Sequence, residues 1–465
     1  MTEPTTSPAA AGVRRVPLSA VVVVITAVYA CSVYANLSFA VRNSADYRFF
    51  PPFLRHVDAN RNRDLGAENG NIARSLAAGK GFASPFPTAT GPTAWMPPAF
   101  PAVLAALLWA SGGSTDAVMV AVVFLQAAVL IGTGLLVLAL AGQTTRRPRA
   151  WLAVGLFLVG LLGFFRWCFQ MTQDWWLVLL ALDLLTVGLC WWRPLGGTKA
   201  AAVWGLFGGL GALVNPAVGL TWGLLSVLAG WRHRAWSRLA LAGLVAGLTL
   251  LPWTVRNYLV FGRLIPVKSN LAYELYQSQC MQPDGLVQRR TLRLHPYTAS
   301  LPEGRQYNEL GETAYLDRKR RQFREAVASH PADFAGRVVQ RFLGATLWYV
   351  PFERAQEPRQ PWVLLFSRVT HPLPFLALLV LVGTARRRPL ARAQWVVIGV
   401  YLVYLLPFVA VSYYERYAVP LLAARVLLVL WATDRLLTFR RAPRPVARTP
   451  VMANDLGPAV VSHGL

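Results

Sequence analysis

Long uninterrupted apolar stretches constrain this chain more than any other feature of its sequence. The 465 residues are 55% hydrophobic and only 14% charged, whereas soluble globular chains carry about 25% charged residues. The apolar residues lie in runs of roughly 20, the length that a helix needs to cross about 30 Å of hydrocarbon. Backbone groups in lipid must form hydrogen bonds within their own segment, so these runs are predicted to be helices. The sequence therefore predicts an all-α polytopic membrane protein.

Basic clusters separate the apolar runs and set the predicted topology. The formal net charge of +25 could indicate nucleic-acid binding, but the arginines flank the apolar runs as the positive-inside rule requires. We therefore expect membrane lipids, and no nucleic acid, among the partners. Arg14 and Arg15 precede the first run, and Arg440 and Arg441 follow the last. This pattern predicts about ten transmembrane helices, with both termini cytoplasmic.

A short apolar stretch at 97–112 is the exception to this pattern. It begins with Pro97-Pro98 and ends in glycine. If it crossed the membrane, the arginines at 146–149 would lie outside, so we interpret it as a re-entrant helix.

The predicted organisation has five parts. The parts are a disordered cytoplasmic segment 1–16, an N-terminal transmembrane module 17–255 with a first periplasmic loop 41–95, a second periplasmic loop 256–360 with juxtamembrane helices, C-terminal transmembrane helices 361–437, and a basic cytoplasmic tail 438–465.

Two carboxylates in the first outside loop are the candidate catalytic groups. A short helix is predicted from Glu68 to Ala78, with Asp64 just before it. Both carboxylates could face one cavity at the membrane surface, where partial desolvation would raise a carboxyl pKa and make a better base. The alternative is that the two acids only cap or solvate the helix. Trp95 follows in a proline-rich turn and is expected at the depth of the lipid headgroups.

Basic residues at the start of the second outside loop are candidate phosphate ligands. Arg256 and Asn257 lie where a predicted span ends, and Arg263 and Lys268 follow closely. A guanidinium binds phosphate oxygens through two parallel hydrogen bonds and stays charged. The alternative is that these side chains only reach up to lipid headgroups.

Other loop residues could contact a sugar or its phosphate. Glu274 lies between Tyr273 and Tyr276, and aromatic rings beside an acid suit the face and the hydroxyls of a sugar as well as they suit a packed interfacial helix. His295 lies in an irregular stretch and is expected to be a solvated side chain. Arg416 lies close to the mouth of the last span and could meet a phosphate or a loop carboxylate.

Several of these segments resemble the GT-C glycosyltransferases. More narrowly, the chain resembles the bacterial proteins similar to dolichyl-phosphate-mannose mannosyltransferase and to aminoarabinose transferase, the family 39-like group. The resemblance extends over about residues 15 to 440, and each motif in it is loose. The matching segments are Asn71 to Phe82, Thr90 to Pro98, Asn215-Pro216, Pro252 to Asn257 and Glu415 to Tyr417.

The resemblance implies an integral glycosyltransferase of a bacterial inner membrane that uses a polyprenyl-phosphate sugar as donor. It implies a lipid, glycan or protein acceptor and an acidic catalytic base in the first outside loop, at Asp64 or Glu68. The family often has two adjacent acids there, whereas Leu65 follows Asp64 in this chain. Which acid is the base, and whether a divalent metal is a cofactor, stay open. The alternative function is a membrane transporter or lipid flippase without catalysis.

Overall fold

The computed structural model describes residues 16–42, 65–145, 149–355 and 360–439, and at positions 36–42, 292–293 and 439 it describes the backbone alone. These residues form helices joined by short loops, and the described part of the chain contains no β-strand beyond two isolated bridges. The helices are α1 (Leu18–Arg42), α2 (Glu68–Ala77), α3 (Ala99–Ala110), α4 (Thr115–Thr144), α5 (Ala150–Gly163), α6 (Phe165–Phe169), α7 (Trp175–Cys190), α8 (Thr198–Val214), α9 (Pro216–Arg232), α10 (Trp236–Phe261), α11 (Leu271–Cys280), α12 (Arg289–Arg293), α13 (Pro302–Ser329), α14 (Pro331–Thr346), α15 (Pro361–Thr370), α16 (Leu373–Gly383), α17 (Arg392–Ala410), the 3-10 helix Glu415–Leu421, and α18 (Leu422–Phe439).

Six stretches of helix in the described residues are long and apolar enough to cross a membrane. They confirm the prediction of a multi-pass all-α membrane protein. The other four predicted spans are the helices α5, α7, α8 and α9, which have 14 to 17 residues each. The six long stretches are Leu18–Ala35, Thr115–Thr144, Trp236–Phe261, Pro361–Gly383, Arg392–Ala410 and Glu415–Thr438.

The last candidate span, which contains α18, is the most buried of the six. This helix contacts α4, α5, α16 and α17. At the edge of the bundle, α8 lies close against α10 because Gly205 and Gly209 have no side chain. A Cβ on Gly209 would lie 2.9 Å from the Ala246 carbonyl oxygen. Small residues of this kind let helices approach each other closely in membranes.

The predicted break at Asn215-Pro216 is confirmed. Helix α8 ends at Val214, and α9 begins at Pro216. The Asn215 side chain caps α9, because its Oδ1 accepts a hydrogen bond of 2.9 Å from the Ala217 amide. Proline at the first helical position needs no hydrogen-bond partner for its nitrogen.

The two predicted outside loops form one packed unit with its own core. The predicted short helix of the first loop is confirmed as α2, and it packs against α3. In the second loop, α11 packs against α13. Helix α13 is kinked at Gly311, where φ is +72°. The core of the unit is a mainly aromatic group of buried residues, called the aromatic cluster below. Its members are Phe86, Trp95, Ala272, Tyr273, Tyr307, Tyr315 and Leu316.

Candidate active site

A strained turn holds Glu68 at the start of α2. Leu65, Gly66 and Ala67 all have positive φ, at +46°, +79° and +53°. A non-glycine residue in this region is uncommon, and such strain concentrates at functional sites. Leu65 is fully buried in the hydrophobic core of the bundle, so the turn is tied to the spans. Glu68 is therefore presented by a fixed element and not by a mobile loop tip.

The Glu68 carboxylate is partly shielded from water and faces a histidine. Its side chain is 21% exposed, and its Oε1 lies 3.6 Å from His295 Nε2. Burial raises the pKa of the Glu68 carboxyl above its ordinary value, and the nearby Arg416 charge opposes that increase only in part. A carboxylate with a raised pKa is a stronger base than one in water.

The prediction that His295 is a solvated side chain is wrong. His295 is 8% exposed, with its ring edge-on to Phe86, Trp95 and Tyr273. Burial lowers the pKa of His295 from its ordinary 6.5 to about 4. The Tyr297 amide donates to Nδ1 at 3.2 Å, so the neutral ring carries its proton on Nε2, toward Glu68. The irregular sequence around His295 has no periodicity that could have predicted this burial.

Arg416 provides a positive charge near the Glu68 carboxylate. It lies in the 3-10 helix Glu415–Leu421, and its guanidinium lies over the Tyr414 and Tyr417 rings at 5.3 and 5.6 Å. Its Nη1 donates to Gln173 Oε1. A guanidinium has five N–H donors, so Arg416 keeps donors for a further ligand after bonding to Gln173.

Two further carboxylates lie near this group. Asp174 is close enough to Glu68 to raise its pKa. Glu274 is half-buried on α11. Burial raises the pKa of Tyr273 and the Glu274 charge adds to that increase, while the same charge opposes the lowering of the His295 pKa. Glu68, Asp174, Glu274, His295 and Arg416 therefore come from five separate parts of the chain and share one electrostatic environment. Asp174 was not singled out for this site from sequence, because it lies beside an apolar run.

Arg256, a predicted phosphate ligand, also joins the first loop to α10. Helix α10 extends to Phe261, beyond the predicted end of its span, and places Arg256 inside the helix. The guanidinium donates to the backbone carbonyls of Phe82 at 2.8 Å and Thr93 at 2.7 Å. It also lies over the Trp253 ring at 5.1 Å. These bonds hold the first loop against α10 and leave N–H donors of the guanidinium over, so its role as a phosphate ligand stays a prediction.

Three other predicted ligands also have partners within the protein or remain at its surface. Asn257 is fully buried, and its Nδ2 donates to the Ile265 carbonyl at 2.8 Å. Arg263 forms an ion pair of 2.8 Å with Asp317. Lys268 is half-buried beside the loop unit.

Trp95, predicted at the depth of the lipid headgroups, does not present its ring to lipid. It is 1% exposed and belongs to the aromatic cluster of the loop unit.

Glu312 is a buried carboxylate that accepts four hydrogen bonds, a role that the sequence did not indicate. It is 6% exposed. Its Oε1 accepts from the Ala94 amide at 2.9 Å and from the Ser269 hydroxyl at 2.7 Å. Its Oε2 accepts from Tyr307 at 3.0 Å and from the Thr93 hydroxyl. This carboxylate therefore links the first loop, α13 and the segment before α11.

The second predicted catalytic acid, Asp64, lies outside the described residues. Within the described ranges, no three histidine, cysteine, aspartate or glutamate side chains are grouped so that they could hold a metal ion. The groups brought together in this part of the chain are thus the base candidate Glu68, two further carboxylates, one neutral histidine donor and one cation. That set suits transfer of a group that leaves as an anion.

Comparison with known proteins gives no family for this chain. No protein-family model matches it, and no curated protein matches it significantly.

Proposed function

We propose that this protein is a membrane glycosyltransferase that moves a sugar from a polyprenyl-phosphate carrier to an acceptor hydroxyl outside the cytoplasm. The observation that carries the proposal is the partly shielded Glu68 carboxylate, with its raised pKa, beside Arg416 and His295. The loop unit also supports the proposal. A water-exposed domain packed against the membrane spans is where a lipid-linked donor and a polar acceptor would meet.

The proposed reaction is a direct displacement. The acceptor oxygen attacks the anomeric carbon while its proton passes to Glu68, and the bond between that carbon and the carrier phosphate oxygen breaks. The departing phosphate takes the electron pair and is stabilised by the free donors of Arg416. A phosphate is already a weak base, so the leaving group needs no general acid. The product is inverted at the anomeric carbon.

Glu274 and His295 have supporting roles in this proposal. Glu274 accepts hydrogen bonds from sugar hydroxyls, and neutral His295 orients the Glu68 carboxylate through its Nε2 proton. Within the proposed topology, about ten helices cross an inner membrane and both termini are cytoplasmic. The loop unit then faces the periplasm.

The test is release of polyprenyl phosphate by purified protein. The protein is given a panel of polyprenyl-phosphate sugars, with membrane extract as the source of acceptor. Glu68→Gln should lower the rate about 10²- to 10⁴-fold, the contribution of a general base. Glu309→Gln is the matched control, because Glu309 is exposed on α13 and outside the site. Release at the wild-type rate by Glu68→Gln would refute Glu68 as the base, and a loss confined to Asp64→Asn would assign that role to Asp64.

Lipid transport is the alternative function. One observation favours it: Asp183 lies within α7 and accepts a hydrogen bond of 2.6 Å from Thr133 of α4, and acids within membrane helices often mark transport pathways. Transbilayer movement of a labelled polyprenyl-phosphate sugar without release of polyprenyl phosphate would support transport and exclude transfer.

A further inference from the structure

An open groove runs along the side of the helix bundle, away from the aromatic cluster of the loop unit. Helices α5, α15, α16 and α18 form it, and it is open to the outside of the bundle. Its walls are mostly apolar, and they include Leu156, Val159, Leu422, Val426 and Val429. A hydrocarbon chain would therefore bury apolar surface in it.

A partly paired arginine lies at one end of the groove. Arg425 is within the candidate span Glu415–Thr438 and is half-buried. Its guanidinium lies 5.3 Å from the Phe164 ring, and its Nη2 donates to the His371 carbonyl at 3.4 Å, near the upper limit for a hydrogen bond. A charged residue inside an apolar helix is expensive and is commonly functional. Arg425 therefore has N–H donors to spare for an anion.

A buried histidine beside Arg425 also lacks a partner. His371 lines the groove and is 6% exposed, and its Nε2 has no hydrogen-bond partner among the described residues. The ring also bonds to the Gly344 backbone, with the histidine as donor. The neutral ring then has a lone pair on Nε2, which can accept a hydrogen bond. Buried polar atoms of this kind are normally paired, so the position indicates a missing donor.

The charges around this end favour a singly charged anion. Among the residues of the described chain that line the groove, none is an aspartate or a glutamate. Glu415 is the nearby carboxylate, and it is occupied by the Tyr349 hydroxyl at 2.6 Å and the Trp167 indole at 3.0 Å. One guanidinium thus faces the groove without a carboxylate partner in its lining. A phosphodiester carries one negative charge, which matches it.

We propose that this groove binds a membrane phospholipid whose phosphodiester headgroup carries a hydroxyl, such as phosphatidylglycerol. The phosphate accepts hydrogen bonds from Arg425, and the headgroup hydroxyl donates to His371 Nε2. An acyl chain lies along the wall formed by Val159 and Val426. The proposal does not depend on glycosyl transfer, because it uses none of the groups around Glu68.

The experiment measures lipid binding to the full-length protein in detergent by native mass spectrometry. Delipidated protein is titrated with phosphatidylglycerol, phosphatidic acid and phosphatidylcholine. Wild type should prefer phosphatidylglycerol, and Arg425→Gln should weaken that binding about tenfold, the effect of losing one charge-assisted hydrogen bond. Arg392→Gln, at an exposed position on α17, is the matched control and should bind as wild type does.

Two more variants separate the headgroup contact from the chain contact. His371→Phe should remove the preference for phosphatidylglycerol over phosphatidic acid. Val159→Phe should fill the groove and weaken every lipid, whereas Leu162→Phe should not, because Leu162 is 58% exposed and does not line the groove. If Arg425→Gln fails to fold, these two variants decide. Equal binding of phosphatidylcholine, or displacement of phosphatidylglycerol by polyprenyl-phosphate sugars alone, would overturn the proposal.

Discussion

Replacing Glu312 should loosen the whole loop unit. In Glu312→Gln one carboxylate oxygen becomes an NH₂ group. The amide should turn its NH₂ toward Tyr307 and Thr93, because hydroxyls can accept as well as donate, while the Ala94 amide can only donate. The contacts then survive as neutral hydrogen bonds. Charged hydrogen bonds contribute about 1.5–3 kcal/mol and neutral ones about 1 kcal/mol. At the lower end of this difference, about 0.5 kcal/mol for each of the four contacts, we expect a loss of about 2 kcal/mol or more.

Glu312→Ala removes all four acceptor contacts at once. It leaves the buried Ala94 amide and the buried Thr93 hydroxyl without their partner. An unsatisfied buried donor costs about 1–3 kcal/mol, so this variant should lose about 4 kcal/mol or more. The order of stability should therefore be wild type, then Glu312→Gln, then Glu312→Ala.

The assay is unfolding of the purified protein in mixed micelles, combined with limited proteolysis of the loop unit. Glu309→Gln carries the same change three residues earlier at an exposed position and should stay within about 0.5 kcal/mol of wild type. Cleavage in the loop unit should speed up in the order of lost stability. If Glu312→Gln is as stable as Glu309→Gln, the four hydrogen bonds do not hold the unit together.

Two further tests concern the pH dependence of stability at His295 and the backbone conformation at Gly66. The pKa of His295 falls from 6.5 to about 4 on folding, so the unfolded chain binds the proton first and stability should drop as pH falls from 6.5 to 4, by about 3 kcal/mol at most. The pH dependence of thermal unfolding should lose this component in His295→Gln, and identical profiles for the two proteins would contradict it. Gly66→Ala places a Cβ 3.2 Å from the Phe100 ring and 3.3 Å from the Thr172 carbonyl at positive φ, whereas Gly79→Ala meets no atom within 4 Å at similar φ. Both variants should lose about 1–2 kcal/mol of unfolding free energy from the backbone conformation. Gly66→Ala should lose more than Gly79→Ala in the same unfolding assay. Equal losses would mean that the site around Gly66 is not tightly packed.

Local sequence signals predicted the elements of the fold well. Apolar runs and flanking arginines indicated the spans, and the Ile72 to Leu76 spacing with following glycines predicted α2. These features depend on neighbours in sequence, so they can be read from one chain. Helix α10 extends beyond its predicted end, and Arg256 within it bonds to carbonyls of the first loop. The sequence does not show contacts between residues so far apart along the chain.

The candidate site was predicted in part for the same reason. Glu68 and Arg416 were singled out by their position at the ends of helices and by a resemblance to a family. His295 and Glu312 were missed, because their burial depends on aromatic residues from distant segments. Trp95 was predicted at the lipid surface because proline-rich turns beside spans usually lie there. Its burial follows from packing against α11 and α13, which its own sequence does not indicate.

The bond between Thr93 and Glu312 has a consequence for biosynthesis. The two residues are 219 positions apart, and at about 5–20 residues per second the ribosome needs roughly 10 to 40 s to make the intervening chain. During that interval the first loop has already left the ribosome. Its Thr93 hydroxyl and Ala94 amide still lack the Glu312 carboxylate that they bind in the folded protein. Glu68 can therefore reach its final surroundings only after α13 has been made and delivered to the same side of the membrane. A chain truncated before Glu312 would insert its early spans and still lack a formed site.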